Sequence, residues 1–175
     1  MVKEIYPHND LLNASFHILE KIEAAVKEGI EDGIILDCIG CIAVLAATSE
    51  ALLNAVGQLK IEEWQERQSP RVKLITICKS ASIEYCEDVY PFNILEELRC
   101  IRNQIMHCQP VITENPLSVA DDSNPLDADW LGKATPEFCR SAFDSIKALQ
   151  HSVFDALEIK PGQLQSFAIW DSKPT

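Results

Sequence analysis

The chain has 175 residues, near the usual size of one domain, and 47% of them are hydrophobic, enough to bury a real core. A formal net charge of −12 excludes a protein that coats nucleic acid non-specifically, because neutralising phosphates over a wide footprint needs a broad basic surface; only a small local basic site is left room. Aromatics at 7% and only six glycines, among plentiful Leu, Ile, Ala, Glu and Lys, favour helices over a sandwich or barrel, so the expected class is all-α, one domain over residues 1–175.

The first residues, "MVKEIYPHND", lack the charged, apolar and cleavable regions of a signal peptide. The most apolar window, "IILDCIGCIAVLAA", runs only from 34 to 47 and contains Asp37, so no membrane span is expected and the cytoplasm is the expected location. Reduced, mostly buried thiols are expected of the seven cysteines, since Cys38, Cys78, Cys100, Cys108 and Cys139 sit among apolar residues, where a free Cys behaves as a small hydrophobe. Cys38 and Cys41 form a C-x-x-C inside an apolar helical run, with no second pair and no neighbouring His, so neither a zinc nor a redox site is expected there.

The first helix is expected over about 10–29, with Asn9 or Asp10 as cap and Leu12, Phe16, Leu19, Ile22 and Val26 as one stripe; Gly29 and Gly33 break it. A longer second helix, about 34–60, carries Ile35, Ile39, Ile42, Ala46, Ser49, Leu53 and Val56 at alternating spacings of four and three, a seam that expects a facing helix along nearly its whole length. Ser49 is expected to bond back to the preceding turn and Glu50 to sit in water. Ser69 as cap and Pro70 at the first position open a third helix with Leu74, Cys78, Ala81 and Tyr85 on its stripe. Asn93 with Glu96 three residues on reads as a capping box and Pro110 as a stop, which gives a fourth helix over about 93–108. Residues 109–135, with Pro110, Pro116, Pro125 and five acidic residues against Lys133, read as a long irregular acidic loop. Thr135 and Pro136 start a fifth helix that buries Ile146, Leu149, Val153 and Leu157 and ends near 158, and a tail over 159–175 is expected to dock through Phe167 and Trp170. The architecture expected is thus an antiparallel, up-and-down bundle of about five helices with its core over about 9–158.

The stretch "LRCIRNQIMHCQP" gathers two arginines, an asparagine and one of only four histidines on the fourth helix. On a helical wheel with Leu95 at zero, Ile94, Leu98, Ile101, Ile105 and Cys108 fall between about 220° and 300°, while Arg102, Met106, Arg99, Asn103 and His107 spread from about 340° to about 120°, away from that face. Arg99, Asn103 and His107 follow one ridge with Arg102 and Met106 beside it, a patch with donors suited to phosphate and one group able to move a proton near neutrality. An apolar Met106 on an outward face points to a covering surface, most simply a second copy of the chain.

"RNQIMH", in which Arg102 and Asn103 precede His107, resembles the R-x(4 to 6)-H motif of the HEPN superfamily of helical bundles, and the likeness extends to the motif's place near the end of a late helix. The resemblance implies a homodimer whose two motifs face each other in one metal-independent endoribonuclease site, without a cofactor, often as a toxin paired with a nucleotidyltransferase-like antitoxin or as a defence RNase. By the same implication His107 would move the proton of the ribose 2′-hydroxyl or of the leaving 5′-oxygen, Arg102 would stabilise charge on the phosphate, and Asn103 would position it, leaving a cyclic 2′,3′-phosphate. Arg99, which the motif does not require, is the further candidate for substrate binding. Two alternatives use the same residues: a solvated face in which Arg99 and Arg102 pair with Glu96 or Glu97, and a non-catalytic dimerisation or adaptor module that uses the ridge as an interface. A small-ligand-binding bundle is a weaker third reading. No H-E-x-x-H, second Cys pair, Glu-x-x-His pair or Gly-rich phosphate loop competes with this cluster, and no metal is expected.

Overall fold

The computed structural model describes residues 2–107, 130–160 and 162–169. Among them the chain is a helical bundle of five α-helices: α1 (Pro7–Lys27), α2 (Ile34–Lys60), α3 (Pro70–Ser80), α4 (Phe92–His107) and α5 (Pro136–Ala156). A short 3-10 turn over Leu131–Lys133 precedes α5. Two three-residue strands, β1 (Val2–Glu4) and β2 (Phe167–Ile169), pair antiparallel and join the two ends of the chain, with Lys3 opposite Ala168. The expected loop over 109–135 is described only from Trp130 onward, and Cys108 and Trp170 lie outside the described residues.

α2 is the centre of the bundle and packs against each of the other four helices. Its buried row is Cys38, Cys41, Leu45, Thr48, Leu52 and Ala55, with Ile42, Leu53 and Val56 beside it. The expected seam is therefore rotated by about one residue, and the reason is bulk. Thiols and small side chains at 38, 41 and 55 let neighbouring backbones approach, whereas Ile35 is left 48% exposed and Ala46 and Ser49 are only half-buried. By length and composition α2 could cross a bilayer, and only 28% of its most apolar eighteen-residue window is buried within this chain.

The helix ends follow local chemistry. Ser69 accepts from the Val72 amide at 3.4 Å and Thr135 from the Phe138 amide at 3.1 Å, each followed by proline, as read from the sequence. At the C-terminal ends of α1, α3 and α5, Gly29, Ser82 and Glu158 adopt φ of 73°, 54° and 51°. The amides of Ile30, Ile83 and Ile159 then reach back to Ala25, Cys78 and Phe154 at 2.9, 2.8 and 2.8 Å, which closes a Schellman motif each time. This ends α3 at Ser80, earlier than a stripe reaching Tyr85 requires.

α1 begins at Pro7 rather than near residue 10, and the Asn9 side chain does not cap it. The Asn9 amide donates instead to the Leu164 carbonyl at 2.6 Å, and the Ser166 hydroxyl accepts from the Tyr6 amide at 2.9 Å, so the start of α1 is tied to the segment after α5. His8 is fully buried there, with neither ring nitrogen hydrogen-bonded among the described residues and the Tyr6 ring edge-on at 6.2 Å. Burial holds its pKa below the ordinary 6.5, against a smaller upward pull from Asp10.

Two consequences can be measured. The unfolded chain takes up the His8 proton at a higher pH than the folded one, so stability is present above pH 6.5 and lost as pH falls through the folded value; His8→Leu should flatten that loss in melting curves taken between pH 7 and 5. At Gly57 an added Cβ would come within 2.2 Å of the Trp64 ring, so Gly57→Ala should destabilise the fold by about 1–3 kcal/mol in denaturant unfolding.

Candidate functional site

α4 starts at Phe92, so the residue ahead of it is Pro91, which has no N–H for a returning carboxylate. The capping box expected from Asn93 and Glu96 is accordingly not formed: the Phe92 and Asn93 amides both turn to the Val89 carbonyl, at 2.8 and 3.1 Å. Glu96 faces inward and becomes a hub. It accepts from the Tyr85 hydroxyl at 3.0 Å and from Arg99 Nε at 2.8 Å, with Arg71 Nε at 3.8 Å, and its side chain is 14% exposed. Tyr85, expected on helix three, lies after it and packs its ring on Phe92 at 5.1 Å. Burial, then the Glu96 hydrogen bond, pushes the Tyr85 phenol up to about 12, while the bond to Glu96 also raises the Arg99 guanidinium above its ordinary value.

The buried face of α4 is Phe92, Leu95, Leu98 and Ile101, with Ile94 and Ile105 half-buried and Cys100 exposed. The face is turned toward Leu95, and with it toward Arg102, relative to the stripe read from the sequence. Arg102 and Asn103 are consequently half-buried at the wall of a narrow cleft between α2, α3 and α4, with an accessible interior of about 40 Å³. Arg71, Arg99, Glu50 and Glu96 also line it. A second hollow, about 330 Å³, shares Glu50 and Arg102 with the first and runs along Ala43, Ala47 and Ala51 to Met106.

The cations of this region differ in what they hold. Arg99 belongs to Glu96, and Arg71 bonds Glu87. Lys133 reaches Glu97 at 2.7 Å. Lys73, only 1% exposed, is bonded to Glu50 at 2.8 Å. Arg102 has no carboxylate partner among the described residues; its Nη1 donates to Asn103 Oδ1 at 3.0 Å, which leaves most of its fork and the Asn103 amide N–H groups for something else. The pairing of Arg99 with Glu96 is thus as the solvated-face alternative reads it, while Arg102 pairs with neither Glu96 nor Glu97.

His107 is the last residue of α4 and is exposed, outside the lining of both hollows, because five residues further on is about 140° around the helix from Arg102. The fold therefore brings Arg99, Arg102 and Asn103 to one cleft and keeps His107 on the adjoining outer face. Met106 is 59% exposed beside it.

Arg71 and Lys73 carry no expectation from the sequence. Glu50, expected in water, is 37% exposed at the wall of the cleft and bonded to Lys73, and the back-bonding hydroxyl is that of Thr48, to the Val44 carbonyl at 2.8 Å, rather than Ser49. A charged Lys73 beside Leu74 and Ile77 on a buried face was the available signal. The thiols of Cys38, Cys41 and Cys139 converge between α2 and α5, all fully buried; Cys139 Sγ donates to the Cys38 carbonyl at 3.7 Å and Cys41 Sγ to that of Ser15 at 3.9 Å. Hydrogen bonding with Cys38 and Cys41 drives the Cys139 thiol pKa up, and among the described residues no group of three His, Cys, Asp or Glu is disposed to hold a metal.

No family model, curated protein or solved structure matches this chain.

A test of the hub is spectroscopic. The folded state keeps the Tyr85 proton to about pH 12 while the unfolded chain releases it near 10, so this contribution to stability is lost as pH rises through that window. Glu96→Gln should lower the Tyr85 midpoint, followed by tyrosinate absorbance against a Tyr85→Phe blank.

Proposed function

We propose that the chain is a metal-independent endoribonuclease of the HEPN type that cleaves single-stranded RNA at a composite site. The observation that carries this reading is Arg102: half-buried in the lining of a cleft, free of any described carboxylate, and bonded to the neutral Asn103 through one nitrogen of its fork. A guanidinium in that state is matched to two phosphate oxygens, and reduced water contact strengthens its field on developing charge.

Among the described residues the cleft of one protomer has no histidine in its lining, so the proton-transfer group is supplied across a two-fold axis. Two copies pair along α4 and the hollow beside it, bringing the partner subunit's His107 to the Arg102 cleft. Met106, exposed at the rim, and the alanine-lined hollow are consistent with such a cover. His107 abstracts the 2′-hydroxyl proton or protonates the 5′-oxygen, Arg102 stabilises the charge building on the phosphate, Asn103 positions it and Arg99 contributes to binding the strand. The five helices follow one another up and down. The protein acts in the cytoplasm, as a toxin or defence component, and a nucleotidyltransferase-like antitoxin is its proposed partner.

One alternative has an observation of its own. Exposed Met106 beside Ala43, Ala47 and Ala51 also suits a non-catalytic dimerisation or adaptor module.

The two are separated by cleavage of single-stranded RNA in EDTA. Arg102→Ala and His107→Ala should each slow it at least about a hundredfold, with a cyclic 2′,3′-phosphate product in the wild type and dimer mass and melting unchanged. Wild-type cleavage no faster than that of the double variant would leave the adaptor reading.

A further inference from the structure

Glu50 and Arg102 line the same two hollows and carry opposite charges, yet they do not form an ion pair. A carboxylate and a guanidinium sharing a partly enclosed space attract strongly, so their separation needs a cause. The cause is Lys73. Its ammonium approaches from α3, buried to 1% exposure, and takes Glu50 Oε1 at 2.8 Å. A buried ammonium cannot give up its ionic partner without stranding its charge away from water, whereas Glu50, at 37% exposure, would lose little by turning to another cation. The tighter constraint therefore decides where the carboxylate points.

We propose that Lys73 is a positioning residue for the cleft: by holding the Glu50 carboxylate it keeps the Arg102 guanidinium open to the phosphate of a bound RNA strand. This rests on the reading of Arg102 as a phosphate-binding group. Lys73 does not touch the strand. It acts on Glu50, and Asn103 is the second hold, engaging Arg102 from its own helix without neutralising it. The region sets Arg71, Arg99 and Arg102 against Glu50, Glu96 and Glu87, and the buried Lys73 beneath them adds one further positive charge, in a chain of net −12. A polyanion meets less repulsion here than the average charge of the chain implies.

The experiment is equilibrium binding of a fluorescein-labelled, 2′-O-methyl oligouridylate of about eight nucleotides, read by anisotropy in EDTA, so that cleavage does not enter. Lys73→Met should weaken binding about tenfold, because Glu50 is released to Arg102. Adding Glu50→Gln to Lys73→Met should restore it to within about twofold of the wild type. Lys79→Met, an equal loss of charge from the exposed face of the same helix, sets the effect of charge alone and should cost less than about twofold. Should Lys73→Met fail to fold, Lys73→Gln, which keeps an N–H for Glu50 without the charge, is expected to weaken binding in the same direction. A Lys73 variant that binds no worse than Lys79→Met, or a loss that Glu50→Gln does not rescue, overturns the proposal. Arg102→Ala separates the two levels: if it binds as well as the wild type, the phosphate-site reading fails; if it loses binding while Lys73→Met does not, only the role of Lys73 fails.

Discussion

A twenty-seven-residue apolar helix has to be covered, and covering α2 organises everything else in this chain. α1, α3, α4 and α5 each lie against it, and several of the buried side chains are small: Cys38, Cys41 and Ala55 on α2, Cys139 and Ala142 on α5. Small residues bring backbones together and leave the larger Leu and Ile side chains to fill the spaces between them. Here the cysteines serve as packing units. The Cys139 and Cys41 thiols, buried between the helices, donate to the Cys38 and Ser15 carbonyls.

The cover is incomplete along one side. Where α2 faces α3 and α4, alanines and Ser49 leave a gap instead of a seam, and charged side chains from three helices fill its walls. The cations there are distributed by burial. Lys73, which can least tolerate being alone, has Glu50; Arg99 and Arg71 share Glu96; Arg102 is left with a neutral amide. An unmatched guanidinium in a cleft, with an exposed histidine one turn and a half along the same helix, is the feature from which the functional reading grows.

Several of these features were legible beforehand. Ser69–Pro70, Thr135–Pro136 and Gly29 act through their own backbone neighbours, so the ends they define could be read from a few adjacent residues. The wheel also put Arg99, Arg102 and Asn103 on one side of α4. The rest depended on partners distant in the chain. Asn9 looked like a cap but bonds Leu164, Glu96 looked like half of a capping box but serves Tyr85 and Arg99, and Glu50 looked solvated but answers Lys73, twenty-three residues away. Ser82, adopting positive φ without being glycine, gave no warning that α3 stops at Ser80.

What the order of residues determined by itself is the helical class, the approximate helix boundaries and the presence of an Arg–Asn–His cluster on α4, because periodicity, caps and prolines act over one or two turns. Tertiary packing alone decided the rotation of α2 and α4, and thus which polar groups enter the cleft and which stay outside. Rotation is set by which side chains can be accommodated between helices, and a shift of one position, about 100° of helix, moves a residue such as Arg102 from an outer face to a wall while leaving its local pattern untouched.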